Sequence, residues 1–328
     1  TYSMMNNMLL LAKLMSAMIC LLSSSNVVTA FSFSGKMCQR SSSSALKSVS
    51  QTILGSRRST TNLAMNGNVF EKGDKGKILV LGGSGFLGGT VARRAILEGY
   101  SVTSISRRGK PEEDANEGID YRVGDARSKE TIENILKEGE YKAVVHCIGL
   151  LFDGESGIGN LNKFVSGSGS VPDDSSSYDD ITRKTAFNAI EAAESYAQSA
   201  GLESLPFVFT SAAEAGWPEM TGGSFVESNL APEWLRRYLV AKRAVESRLM
   251  DNQTLLRPVM FRPSLIYSLD RIASLPPVGA FFIGNKIGLP FVDRPVTVQA
   301  LSAAVIKSLS QTDVRGVQRF MQIDELSS

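Results

Sequence analysis

The residues with the plainest chemical purpose are those of Gly82-Gly83-Ser84-Gly85-Phe86-Leu87-Gly88. They follow the apolar run Lys77-Ile78-Leu79-Val80-Leu81, which reads as a buried strand, and a helix is predicted to open there with Leu87, Val91 and Ala95 on one face. In such a strand-turn-helix unit Gly82 makes the sharp bend, Gly85 lets backbone approach a pyrophosphate, and Gly88 lets the helix pack closely on the strand. The helix amino terminus then offers N–H groups and a partial positive charge to phosphates. A dinucleotide site is therefore expected on Gly82, Ser84, Gly85, Phe86, Leu87 and Gly88.

The next predicted strand ends in Ser106-Arg107-Arg108, with no Asp or Glu between Glu98 and Glu112. An acid at this place would grip the ribose hydroxyls of NAD, whereas two guanidinium groups suit a 2′-phosphate. The expected cofactor is thus NADP, as NADPH, held in part by Arg107 and Arg108. Asp125, just past the third strand, is placed either to take the adenine amino group or to cap the helix from Ser128 onward.

Other chemistries are excluded by what is missing. The only histidine is His146, so neither a Ser-His-Asp triad with a spare histidine nor a multi-histidine metal centre can be built. Of three cysteines, Cys20 and Cys38 lie in the leader described below, leaving Cys147 alone, without a disulfide framework or a cysteine-based zinc site. Lys and Arg number 35 against 33 Asp and Glu, a net charge of +2 with no basic block in the body of the chain, which argues against nucleic acid as a partner. His146 and Cys147 end the fourth predicted strand and read either as interior residues beside a cofactor or as chemical groups.

These groups must be positioned by elements that alternate. Strands are predicted at 77–81, 101–106, 120–123, 143–148, 207–211 and 255–262, with helices at 129–137, 180–198 and 235–250 between them. Alternation of this kind implies an α/β fold with a doubly wound parallel sheet, whose sites lie at the carboxyl ends of the strands. The Gly-, Ser- and Asp-rich stretch 151–177 is the longest without a predicted element and reads as a mobile surface loop or lid.

Residues 1–70 contain no Asp or Glu and are rich in Ser, Thr, Lys and Arg, the mark of a targeting presequence. An apolar run over 8–22, broken by Lys13, leads to Val28-Thr29-Ala30, which suits signal-peptide cleavage, and Phe31 then opens a serine-rich basic stretch through Arg57 and Arg58. This resembles the bipartite presequence of algae with secondary plastids, with a second cut near Ala64-Met65. A plastid is the expected destination; a mitochondrial presequence and a retained membrane anchor are the alternatives.

From 77 to about 306 the residues resemble the short-chain dehydrogenase/reductase superfamily in its extended or atypical branch. The resemblance is carried by the glycine turn, Asp125, Thr210-Ser211 at the end of the fifth strand, Tyr238-x-x-x-Lys242, and Arg262-Pro263-Ser264-Leu265-Ile266-Tyr267 after the sixth. Within that branch the chain looks most like the NADPH-binding accessory subunit of respiratory complex I and related coenzyme Q biosynthesis proteins with their plastid relatives, several of which bind NADPH without a demonstrated reaction. The resemblance implies that Tyr238 is general acid or base to a substrate carbonyl or hydroxyl. It implies further that Lys242 lowers the tyrosine's pKa and binds the nicotinamide ribose, that Ser211 holds the substrate oxygen and that Pro263 lines the nicotinamide. Four residues apart on a helix, Tyr238 and Lys242 share a face, and a nearby cation favours phenolate. The asparagine that the family often carries on the fourth helix is not matched, since Arg183 lies near that place and Asn188 a turn further on.

A small carboxyl-terminal part, about 264–328, is expected to cover the substrate side. Its apolar stretch 274–292, with Pro276, Pro277, Phe281, Phe282 and Phe291, could accept a prenylated quinone or a membrane surface, or could be an ordinary lid or core. The leading expectation is an NADP(H)-dependent oxidoreductase acting on a small hydrophobic carbonyl or alcohol, with quinone-pathway components among the possible partners. The rivals are a non-catalytic NADPH-binding structural or assembly protein and a nucleotide-sugar epimerase or dehydratase.

Overall fold

A computed structural model describes residues 75–112, 115–156, 176–251, 255–270, 275–288 and 291–328. The presequence and the middle of the predicted 151–177 loop lie outside the described residues. In chain order the elements are β1 (Lys77–Leu81), α1 (Phe86–Leu97), β2 (Ser101–Ser106), β3 (Ile119–Val123), α2 (Lys129–Lys137) and β4 (Tyr141–His146). A 3-10 turn (Gly154–Ser156) and a π-helical stretch (Asp179–Lys184) lead into α3 (Thr185–Ser199), followed by β5 (Leu205–Thr210). Then come a second 3-10 turn (Ala213–Glu219), α4 (Gly223–Asn229), α5 (Glu233–Met250), β6 (Leu256–Phe261), β7 (Ile266–Tyr267), α6 (Leu275–Lys286), β8 (Val296–Thr297), α7 (Val298–Ser310), β9 (Gly316–Gln318) and α8 (Phe320–Ser327).

Seven strands form one parallel sheet in the order β3-β2-β1-β4-β5-β6-β9, the doubly wound arrangement expected from the sequence, and β7 pairs separately with β8. Successive side chains of a strand point to opposite faces, and both faces are covered. Ile78, Val80, Val145, Val208, Val259 and Phe261 pack with Val91 and Ala95 of α1 and Leu301 and Val305 of α7. Leu79, Leu81, Val144, Phe207, Phe209 and Met260 pack with Ile132 and Leu136 of α2, Ala189 and Ile190 of α3, and Val245 and Leu249 of α5.

The expected carboxyl-terminal part therefore divides. β7 and β8 form a separate two-stranded sheet whose Ile266 and Val296 reach the main apolar layer, α7 and α8 belong to that layer, and β9 is the seventh strand of the main sheet. Within α6 and just past it, Phe282, Ile283 and Ile287 are exposed, so this helix is not interior core. Among the described residues no helix is long and apolar enough to cross a membrane.

Register brings the site together. Leu81 pairs with Ile105 and with His146, His146 with Phe209, and Thr210 with Phe261. The residues that follow these positions leave the sheet along one carboxyl edge: Gly82, Ser106-Arg107, Cys147, Ser211 and Arg262-Pro263. The order reverses between β1 and β4, the place where such sheets open a crevice.

Candidate active site

The glycine turn has the form its spacing implies. Gly82 sits at φ +83°, a conformation that side-chain-bearing residues rarely adopt. A Cβ on Gly88 would fall 2.2 Å from the Gly82 carbonyl oxygen, so α1 can lie this close to β1 only with glycine there. Gly85 is the N-cap of α1 and has no side-chain cap, and the first turn carries no acid; the first intrahelical bond runs from the Gly89 N–H to the Gly85 carbonyl at 2.8 Å. The helix terminus is thus open to an anion. Ser84 and Phe86 are partly buried in this turn, whereas the Leu87 side chain belongs to the core, leaving only its backbone for a ligand.

Arg107 and Arg108 are exposed just after β2, in a turn closed by Gly109 at φ +69°. Asp125 is engaged with its neighbour. Its carboxylate accepts from Arg127 Nη2 at 2.7 Å and Nε at 2.9 Å and from the Arg127 backbone N–H at 2.9 Å. Those hydrogen bonds, against some burial, hold the carboxyl below its ordinary range, and Arg107 adds to the effect. The alternative of Asp125 as the helix cap is corrected: Ser128 is the N-cap of α2, its hydroxyl accepting from the Thr131 N–H.

Ser211 and Pro263 follow the carboxyl ends of β5 and β6, and Lys242 of α5, with Tyr238 beside it, reaches the end of β5. The Ser211 N–H donates to the Phe261 carbonyl at 2.7 Å, and the Ala213 N–H to the Pro263 carbonyl at 2.9 Å, which ties the two strand exits together. The Lys242 Nζ is buried, donates to the Thr210 carbonyl at 2.7 Å, and lies 4.9 Å from the Phe209 ring centroid and 5.4 Å from that of Tyr238. Burial pulls its pKa down to about 8, against the opposing pull of Glu246. The Tyr238 phenol is raised above its ordinary value, first by burial and then by the charge of Glu214. The expectation that Lys242 lowers it is not met in this arrangement. The ammonium lies over the ring, and enclosure of the phenol outweighs it.

His146 is an interior residue. Thr185 Oγ1 donates to the Ile181 carbonyl at 2.7 Å and so accepts from His146 Nε2–H at 3.0 Å, leaving Nδ1 as an unprotonated acceptor. Burial, with help from Lys242, brings its pKa down to about 3. Burial likewise pushes the Cys147 thiol up to about 12, which makes it a poor nucleophile near neutral pH. Neither Arg183 nor Asn188 fills the missing asparagine's place. Arg183 is exposed and paired with Asp179, and Asn188 donates to the Ala126 and Arg127 carbonyls at 3.2 and 2.8 Å, tying α3 to the β3–α2 loop.

Ser211 Oγ, Ser264 Oγ and His146 Nδ1, at or just past strand ends, and Thr182 Oγ1 of the π-helical stretch are among the buried polar atoms that have no hydrogen-bond partner among the described residues. Buried polar groups are rarely left so, and each of these atoms has hydrogen-bonding capacity left for a ligand or a water. Sequence reasoning missed Glu214, whose carboxyl burial raises to about 7, and the group Asp153, Tyr178 and Arg237. Asp153 and Tyr178 sit at the two ends of a low-complexity loop, and no local spacing links them to Arg237. Among the described residues no His, Cys, Asp and Glu gather into a metal site.

The sequence pattern of the NAD dependent epimerase/dehydratase family matches residues 78–274. The chain is 23% identical over 290 residues to MIOREX complex component 2 of Saccharomyces cerevisiae, covering 75% of this chain and 98% of that protein. It is 26% identical over 276 residues to an uncharacterized Arabidopsis thaliana protein described as chloroplastic, covering 77% of each. A short chain dehydrogenase from Bacillus anthracis shares the fold, with a TM-score of 0.51 at 14% identity over 76% of this chain and 96% of that one.

Proposed function

We propose that this chain, which belongs to the NAD dependent epimerase/dehydratase family, binds NADPH and interconverts a small, uncharged, hydrophobic carbonyl compound and its alcohol. The observation that carries the reading is that Lys242 of α5 reaches both the Tyr238 ring and the Thr210 carbonyl, next to Ser211, on the sheet edge from which the Gly82-to-Gly88 turn also leaves. The residues fit a dinucleotide: Gly88 has no room for a side chain, α1 opens without an acid, and buried hydroxyls nearby lack partners.

In this reading the backbone of Gly82, Ser84, Gly85, Phe86, Leu87 and Gly88 would hold the pyrophosphate and Arg107 and Arg108 the 2′-phosphate. Asp125 would face the adenine, Lys242 the ribose, and Pro263 would line the nicotinamide. When bound, the nicotinamide supplies or accepts the hydride. The Tyr238 hydroxyl gives its proton to the carbonyl oxygen during reduction and takes it back in the reverse direction. Ser211 Oγ, free of protein partners among the described residues, donates to that oxygen and orients it. Lys242, with its pKa lowered only to about 8, keeps its positive charge near neutral pH and favours charge developing on the phenol.

The raised phenol of Tyr238 supports a second reading, a non-catalytic NADPH-binding assembly protein, which needs the glycine turn and not the tyrosine. The epimerase rival keeps the fold and family but leaves the two arginines without a task. Calorimetric titration of the purified chain tests the cofactor assignment. NADPH is expected to bind at least about tenfold more tightly than NADH, because a charge-assisted bond contributes about 1.5–3 kcal/mol. Equal affinities, or an unchanged preference in the Arg107→Ala/Arg108→Ala variant, would remove the basis for NADPH. The acid-free leader supports a plastid as the destination, with a mitochondrion as the alternative.

A further inference from the structure

Tyr178 is the aromatic neighbour of Tyr238, their ring centroids 5.5 Å apart and edge to face. It directly precedes the π-helical stretch, a wide turn of the kind found at functional sites. Its hydroxyl is consumed by the segment after β4, donating to the Leu151 carbonyl at 2.8 Å and accepting from the Asp153 N–H at 3.4 Å. Tyr178 is itself buried, so what it presents toward Tyr238 is a ring and no proton.

Arg237, next to Tyr238 on α5, fixes this ring. Its guanidinium carbon lies 5.8 Å from the Tyr178 centroid, and Nη2 pairs at 3.3 Å with Asp153, whose side chain is buried. Glu155 pairs with the same guanidinium. One turn earlier on α5, Trp234 meets Phe152 at 4.9 Å, so the segment after β4 is held to the helix at two points. The Gly154 N–H donates to the Ser176 carbonyl at 3.0 Å and joins that segment to the stretch that carries Tyr178.

The Arg237 pair is incomplete, since Asp153 Oδ2 and Arg237 Nε have no partner among the described residues. A half-buried ion pair with unsatisfied atoms is a poor device for stability, and holding a nearby group in place is the use that fits its position. Its charges matter as well: one guanidinium faces two carboxylates, so the described residues around Tyr178 carry surplus negative charge, which disfavours a phosphate there.

We propose that Tyr178 determines specificity, selecting flat uncharged carbonyl compounds over phosphorylated sugars, and that Arg237 is the positioning residue that holds it through Asp153. The proposal rests on Tyr238 being the reacting phenol.

The test uses the full chain with NADPH bound and follows quenching of its tryptophans, Trp217 and Trp234, both of which border this region. The probes are phenanthrenequinone, flat and uncharged, and UDP-glucose. Phenanthrenequinone is expected to bind and UDP-glucose to give no saturable signal. Tyr178→Leu is expected to weaken quinone binding about tenfold, the scale of one aromatic contact. Arg237→Met should match it and Arg237→Lys should recover part of the loss. The Asp153→Asn/Arg237→Met variant, which leaves no unpaired buried charge, guards against misfolding and should show the same weakened quinone binding. Unchanged quinone affinity in folded Tyr178→Leu, or UDP-glucose binding as tightly as the quinone, overturns the proposal. Turnover is scored separately: a Tyr238→Phe variant that binds the quinone and reduces it at the parent's rate refutes the catalytic reading, whatever Tyr178 does.

Discussion

Acidification should destabilise this protein through His146 in a way that one substitution removes. In the native state its pKa is about 3, because the imidazole is buried beside Lys242; in the unfolded chain it returns to about 6.5. Between those values the unfolded chain binds a proton that the native state does not, so stability falls as pH falls. From about pH 7 to about pH 5 the loss from this residue alone comes to about 2 kcal/mol, at about 1.4 kcal/mol per pH unit once the free imidazole titrates. His146→Gln keeps an N–H donor for Thr185 and cannot take up the proton. Urea unfolding of parent and variant across that range isolates the effect, since their carboxylates are shared and cancel in the difference. The parent should lose about 2 kcal/mol more than the variant. Parallel curves would show that the native imidazole is protonated at an ordinary pH and that its burial has been misread.

Three further outcomes are expected. Tyr238→Phe should lower NADPH-dependent reduction of phenanthrenequinone by about 10²–10⁴-fold with little change in NADPH affinity measured by calorimetry; a silent variant beside a Gly85→Asp variant that no longer binds NADPH would favour the assembly-protein reading. Gly88→Ala must push α1 away from the Gly82 carbonyl, which at 2.2 Å leaves no room for the methyl group. It should cost about 1–3 kcal/mol in urea unfolding and abolish NADPH binding, and normal binding would show that the turn does not need its close packing. A fluorescent fusion of residues 1–65 should enter the plastid of an alga with secondary plastids and fail to do so with Phe31→Ala; signal confined to mitochondria would refute the leader assignment.

Local chemistry made the dinucleotide half of the site legible. A strand, a glycine turn and a helix occupy adjacent residues, and the demands on Gly82 and Gly88 come from backbone geometry within that unit. Alternating apolar runs likewise gave the parallel sheet through β6, because a buried strand and an amphipathic helix each write their period into sequence. The short β9 carries no such period, being three residues that become a strand only by pairing with β6, and so it was not foreseen. Tyr238 and Lys242 were placed on one helical face by spacing alone, but the direction of the phenol's pKa was not, since it depends on Glu214 and on burial from other elements. The same holds for Asp125, whose carboxylate is taken by Arg127, and for His146, whose neutrality follows from the sheet and α3 closing over it. Arg237 and Asp153 are 84 positions apart and meet only because α5 packs beside the exit of β4. Short-range periodicity and turn chemistry are determined by the sequence directly, whereas charge environment and long-range pairing exist only once the chain has folded.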